Sequence, residues 1–588
     1  MLRGSRSASL PAALAWATFY ALAAPHSAFA EWPPSGRAIS GASGDQLSVA
    51  IAGDGAGGAI LTWIDFRDAT AVNIYAGHVL ATGKVDAAWP ANGRPLRADA
   101  AAVADEPENP ASPAIVPDGS GGAIVVWQDG RTAATGTDIY AQHVLASGGL
   151  DPAWPPNGTG LAVIEGIQDI PTVASDGTGG AIVAWIDGRP GASVVDVYAQ
   201  HVLASGVVDP RWPANGVAVS VAPGPQAFPT VVGDGAGGVV VSWDDGRDAA
   251  TSDYDIYAQH ILASGVPDPA WPVNGRALST APGPQFGTKI VSDGAGGAVV
   301  TWNDHRTGVG HVYTHHVLAT GGVDPAWPAD GLALTSRISS EEFPSLVSDG
   351  SGGAVVVWQN PGNGFLDIYV HHVTRAGMVD PAWPVGGALA RRSAAGANSR
   401  IASDGAGGAV VAWQEGTRIA AHHVRANGTF DPAYPDTGRT ITALGLPTRQ
   451  SLSGIVAAGP SGAIVGWSEA RSGTDLDVYA MQVLEATTAV EPAPGAPGFA
   501  FRGPWPNPAR GATTLRFSLP SEASVRLAVY DVRGRRVREL VSGSRPAGGQ
   551  TVVWDFRDGQ GAPVGAGIYF AKLEVGNRTA TRKLVLVR

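Results

Sequence analysis

The chain has 588 residues, a net charge of −12, 80 glycines, 44 prolines and no cysteine. With no cysteine a disulfide framework is excluded, and stability has to come from burial and closure. Charged residues are sparse, yet Val, Ile, Ala and Trp recur in short runs between turn residues, which excludes a disordered chain and predicts a turn-rich all-β protein.

Residues 1–30 have the form of a secretory signal peptide: Arg3 and Arg6, an apolar run from Leu10 to Ala24, and Ala28-Phe29-Ala30 as a site for cleavage after Ala30. The run is too short to span a bilayer comfortably, and no later segment is more apolar. The mature chain is therefore expected to have no transmembrane segment and to be secreted or attached to the cell surface.

Residues 31–485 repeat one unit. Its hallmark is Ser292-Asp-Gly-Ala-Gly-Gly-Ala-Val-Val-Thr-Trp302, whose Asp-Gly recurs at Asp54, Asp118, Asp176, Asp234, Asp293, Asp349 and Asp404, with an eroded copy before Trp467. Asp-Gly and Gly-Gly supply the positive φ and side-chain bonds of a tight turn, and the apolar run behind them reads as a buried strand. From Phe228 the unit continues through an Asp-Gly-Arg loop, then Asp255-Ile-Tyr-Ala-Gln-His, then Asp268-Pro-Ala-Trp-Pro and a short strand at Arg276. This makes four strands, A to D, in roughly 57 residues, the pattern of propeller blades. The phase of the repeat is informative. The mature chain opens on a strand D at Trp32-Pro, and the last unit stops at Leu484 without one. The N-terminal strand is thus expected to complete the eighth blade and close the ring, leaving no open sheet edge.

The unit resembles the repeat of propellers of the periplasmic Tol-associated type, in which an Asp-Gly turn, an apolar strand, an Arg-bearing loop and Ile-Tyr follow in this order. It is also similar to exported bacterial repeat proteins with Ser-Asp-Gly-x-Gly-Gly and Asp-Ile-Tyr-Ala-Gln. The resemblance implies a fold and carries no activity with it.

Residues 486–498 have the Pro/Gly/Ala composition of a linker. Charge then changes sign: residues 499–588 hold 15 Lys or Arg against 6 Asp or Glu, whereas residues 31–498 hold 22 against 45. An acidic body excludes nucleic acid as a natural partner, because phosphate binding needs a positive face. Alternating runs beginning at Thr514, Val525, Arg536, Gln550, Gly567 and Arg582 predict a small immunoglobulin-like β-sandwich. Asn507 with its flanking prolines, Val529-Tyr-Asp-Val-Arg-Gly-Arg535, Trp554-Asp555, Gly567-Ile-Tyr-Phe570 and the terminal Lys583–Arg588 resemble the sorting domain of type IX secretion cargo, akin to the immunoglobulin-like domain of flagellar hook-capping proteins. That resemblance implies secretion machinery as a partner of residues 499–588 and the outer surface of a Gram-negative cell as the destination. The fold class expected for the whole is all-β, an eight-bladed propeller closed by its N-terminal strand and followed by the sandwich.

Site chemistry is sparse. The single Asp of each turn reads as an Asx turn and not a calcium loop, which would cluster several carboxylates. A repeated strand-C histidine (His78, His143, His201, His260, His316, His372, His423) is expected to pack and hydrogen-bond between blades, with the doubled His315, His371 and His422 more exposed. Neither series predicts a metal or other cofactor, and no catalytic residue is assigned.

The loop after strand B carries Asp-x-Arg: Asp65 and Arg67, Asp129 and Arg131, Asp187 and Arg189, Asp245 and Arg247, Asp304 and Arg306. A local ion pair bracing the turn explains these residues. As a ligand-binding surface they would present Arg and carboxylate together to a glycan or a surface protein. The reading that results is a non-catalytic binding or structural propeller. The alternative is a secreted glycoside hydrolase or lyase using the non-repeated Glu106, Glu108, Glu341 and Glu342, and local function is to be sought where blades depart from the repeat.

Overall fold

The computed structural model describes residues 32–484 and 500–587, less 69–70, 98–112, 133, 191–193, 249–252, 336–338, 362–365, 393–397, 443–449, 460–461, 472, 474, 502–503, 505–506, 508, 510–511, 520–521, 547 and 577. The signal-like stretch, the linker, Glu106 and Glu108 lie outside the described residues. The described elements are β-strands throughout, and their pairing is antiparallel except for short links such as Gly166–Ile167 beside Gly136–Thr137.

The copies of the repeat form antiparallel meanders, most of them of four strands. In the fourth, strands Gln226–Gly233, Val239–Asp245, Asp255–Ile261 and Arg276–Ser279 pair in that order. The first strands of successive units, from Gln46–Gly53 to Gln450–Ala457, lie side by side in sequence, and the eighth returns to touch the first. The units therefore form a closed, propeller-like ring with strand A innermost, and they are called blades below. Strand Arg37–Ser40 pairs with Asp477–Leu484, Arg37 opposite Ala480, and supplies the outer strand that the eighth unit lacks.

Local chemistry explains the blade. Asp54 Oδ1 accepts from the amides of Ala56 (2.7 Å) and Gly58 (2.9 Å), an Asx turn that ties strand A to strand B. Strand B is buried along its whole length, as at Val239–Asp245, because both of its faces pack against neighbouring blades. Blade is joined to blade by tryptophan. Trp89, Trp154 and Trp212 lie on Gly148, Gly206 and Gly265 of the following blade, so closely that a Cβ at those glycines would sit 2.6–2.7 Å from a ring carbon. The indole Nε1 of Trp89 and of Trp154 donates across the same seam to Ala146 and Ala204 oxygens at 3.0 Å.

At the C-terminus all six predicted runs are strands. With the short unpredicted strand Ala500–Phe501 they fall into two sheets, Ala500–Phe501, Thr513–Leu519 and Gly548–Trp554 in one, and Ala523–Asp531, Arg536–Arg545, Gly567–Val575 and Arg578–Leu586 in the other. Phe517, Leu527, Trp554 and Leu573 fill the core of this sandwich.

Candidate functional site

The Asp-x-Arg pairs form, each inside its own blade. Asp65, Asp129, Asp187, Asp245 and Asp304 are at most 1% exposed. In blade four Asp245 Oδ2 accepts from Trp243 Nε1 at 2.6 Å and from Arg247 at 2.7 Å, and Oδ1 takes the Arg247 amide. The Arg247 guanidinium lies 3.6 Å over the Tyr257 ring, which stacks on Trp243, and its far nitrogen donates to Asn274 O at 2.6 Å. Arg67, Arg131, Arg189 and Arg306 repeat the arrangement on Tyr75, Tyr140, Tyr198 and Tyr313. Since Tyr257 belongs to strand C and Asn274 leads into strand D, each arginine turns outward, away from the innermost strand. The pairs brace the loop after strand B inside each blade, as a local ion pair would.

Blade six has Gln359-Asn360 where blades one to five have Asp-x-Arg and blades seven and eight have Glu415 with Arg418 and Glu469 with Arg471. Its core indole, Trp358 Nε1, donates instead to Glu341 of the crossover at 3.2 Å, and Thr335 also bonds this fully buried carboxylate. Glu341 is thereby a structural stand-in for the missing Asp, and Glu342 accepts from Ser340 beside it.

The strand-C histidines are held differently from expectation. Each bonds two carboxylates of its own blade, not of a neighbour. His260 Nε2 meets Asp234 of the A–B turn at 3.0 Å, and Nδ1 meets Asp268 of the C–D loop at 2.8 Å. The same Asp-His-Asp triad recurs from His78, with Asp54 and Asp86, to His423, with Asp404 and Asp431. Both ring nitrogens are thus occupied, and neither is left to ligate a metal. The doubled His315, His371 and His422 are at most 3% exposed, against expectation, and stack on Trp327, Trp383 and Tyr434. Burial drops His315 to about 4, so it is a neutral packing group.

Blades differ at two places near the axis. The first is the strand-B residue after the core Trp: Ile64, Gln128, Ile186, Asp244, Asn303, Gln359, Gln414 and Ser468. Several of these side chains reach a bulge in strand A of the next blade. Asp244 accepts from Gly287 N at 2.8 Å, and Gln414 accepts from Leu452 N at 3.1 Å. In blades four and six the bulge holds Phe228 and Phe343 at φ of 50° and 54°, a conformation that costs a bulky residue about 1–3 kcal/mol, and both rings are exposed.

The second place is the strand-A residue opposite the one before that Trp. Around the ring it is Ala50, Ala114, Thr172, Thr230, Lys289, Ser345, Arg400 and Gly454. Two cations therefore flank blade six on the innermost strands, in a series otherwise small and uncharged.

These departures converge on one cleft of about 580 Å³, lined by Gly287, Lys289, Asn303, Phe343, Pro344, Ser345, Gln359, Asn398, Ser399 and Arg400. Lys289 is open to solvent yet crowded by protein atoms, and this desolvation lowers its pKa although Asp244 pulls the other way. Desolvation lowers Arg400 likewise. Arg400 donates to Asn398 Oδ1 and to Ser453 O, and Lys289 to Thr288 O at 3.1 Å. Among the described residues neither cation has a carboxylate at salt-bridge distance. Asp244, the nearest acidic group acting on Lys289, is buried behind Gly287 and pushed up to about 6 by that burial. Residue types alone do not disclose the cleft, because it arises from three blades; the signal available was the break in periodicity at Lys289, Asn303, Gln359 and Arg400.

No curated protein matches the chain. Similar solved structures include a protein of unknown function from Dyadobacter fermentans, at 10% identity and a TM-score of 0.31 over 54% of this chain and 94% of that one. The α-L-arabinofuranosidase Arb93A of Fusarium graminearum is similar at 10% and 0.30, over 54% and 93%. PorZ of Porphyromonas gingivalis, a bacterial surface component of the type IX secretion system, is similar at 12% and 0.26, over 92% and 81%. At these scores neither an activity nor a partner carries across. Residues 507–578 match the FlgD Ig-like domain family, and the C-terminal sandwich is a domain of that kind.

Proposed function

We propose that the protein is an exported eight-bladed propeller that binds a ligand at its channel-mouth cleft without turning it over, while residues 499–588 direct secretion and attachment to the outer surface of a Gram-negative cell. The observation that carries the binding role is the lining of the cleft: two cations, three carboxamides and an exposed ring, with no carboxylate among them. A glycoside hydrolase needs two carboxylates across one pocket. Glu341, a candidate for such a role, already accepts from Trp358 in the core. The export reading is supported by the signal-like residues 1–30 and by the FlgD Ig-like match near the C-terminus.

The test is incubation of the purified chain with a polysaccharide panel, scoring retention and release of reducing ends in the same wells. Retention without release is expected, and catalytic release of product overturns the reading. Deletion of residues 499–588 in the native host is expected to abolish surface display; undiminished display sinks the sorting role.

A further inference from the structure

We infer that the cleft of blades five to seven takes an anionic saccharide, its carboxylate set between Lys289 and Arg400 and its hydroxyls on the carboxamides beside them. The inference rests on the binding role proposed above and adds the chemical class of the ligand.

Charge comes first. Lys289 and Arg400 are cations on innermost strands that line the cleft with no carboxylate paired to them among the described residues, so an incoming anion meets no competitor for their charge. Guanidinium and ammonium together suit a carboxylate, the first through its planar fork and the second as a point charge.

The rest of the lining separates a sugar from other anions. Asn303 is 4% exposed, lines the cleft, and its Oδ1 has no hydrogen-bond partner. An orphaned buried acceptor costs stability unless a donor arrives, and a ligand hydroxyl is such a donor. Gln359 offers a paired donor and acceptor, the match for vicinal hydroxyls, while Asn398, held by Leu452 O and Arg400, fixes the cation beside it, and Phe343, 63% exposed, offers an apolar face for a pyranose ring. A volume of about 580 Å³ lies within the range of small-ligand sites.

The experiment is calorimetric titration of the full mature chain with trisaccharides of galacturonate, glucuronate and mannuronate, each as the free acid and as its methyl ester, and with an acidic peptide of equal charge. At least one free acid is expected to bind, its ester about ten-fold or more weaker, and Lys289→Met is expected to weaken the free acid by a similar factor. Among the described residues the Lys289 ammonium bonds its neighbour's carbonyl alone, so this variant is expected to keep the wild-type melting temperature, which is checked alongside. Arg400→Gln, which also loosens the seam to Ser453, serves as a second variant. Failure of every free acid to bind, equal binding of acid and ester, or acid binding that Lys289→Met leaves unchanged each overturns the inference while leaving a binding role to the polysaccharide panel. Binding of the peptide alone overturns the saccharide assignment, whereas cleavage of a trisaccharide overturns the non-catalytic reading instead.

Discussion

A carboxylate on each ring nitrogen makes the strand-C histidine a brace within its blade. For His78, His143, His260 and His372, burial works against the charge, but the hydrogen bonds to the two carboxylates outweigh it and hold each above the ordinary 6.5. A raised histidine stabilises the fold fully below 6.5 and loses that contribution as pH rises through the folded value. The partner carboxylates Asp54, Asp118 and Asp234 are also opposed by burial, yet histidine and turn amides hold them below 3.8, so their contribution is lost as pH falls through that lower value. The urea midpoint is therefore expected to be highest between about pH 4 and 6.5 and to fall toward pH 8.5. A flat profile over pH 6–8.5 would contradict the brace. His260→Gln is expected to cost about 1–3 kcal/mol at pH 6 and to reduce the slope. Asp245→Ala, which strands Trp243 and Arg247 together, is expected to cost about 3 kcal/mol or more in urea unfolding. Glu341→Ala is expected to match it, because Glu341 holds the indole of blade six as Asp245 holds that of blade four.

The blade itself was legible in the sequence for a physical reason: a turn that needs Asp-Gly and a strand buried on both faces leave period and composition behind at every copy. The phase of the Trp-Pro series also disclosed that strand Arg37–Ser40 completes the eighth unit. The strand-A bulge was not legible, since its residues run Phe-Pro in blades four and six but Gly-Thr in blade five. Its geometry is fixed by a side chain of the preceding blade, as Asp244 fixes Gly287, and no local pattern records that. The histidine partners escaped for a different reason: the two aspartates stand on either side of strand C, in the A–B turn and the C–D loop, and only the folded meander brings both to one imidazole. Seams between blades can be tested at the Trp–Gly contact. Gly206 has a φ of +79° and Trp154 against it, so Gly206→Ala is expected to lower the melting temperature by several degrees, about 1–3 kcal/mol, with an overpacked ring visible as altered near-UV dichroism. Removal of residues 31–40 is expected to uncover the edge of Asp477–Leu484 and to produce concentration-dependent association in sedimentation.

At the scale of the whole chain, the sandwich has its own core among the described residues, from Phe501 to Leu586. Calorimetry of the mature chain is accordingly expected to show two transitions, and truncation after residue 485 to delete one without moving the other. A shift of the remaining transition would show the two parts to be thermodynamically one. The ring has a further property in time. Arg37 lies opposite Ala480, so the first described strand meets its partner only after nearly the entire propeller sequence has been made. A contact of such long sequence separation forms slowly and late, and domains with earlier local contacts fold ahead of it. Blades one to seven can stack as a growing arc before the last blade is in place, but the circle stays open until then, with Arg37–Ser40 waiting as an unpaired ribbon. For this molecule, completion of the fold is an event of the last blade, and a chain stopped short of Asp477 has a beginning with nothing to hold.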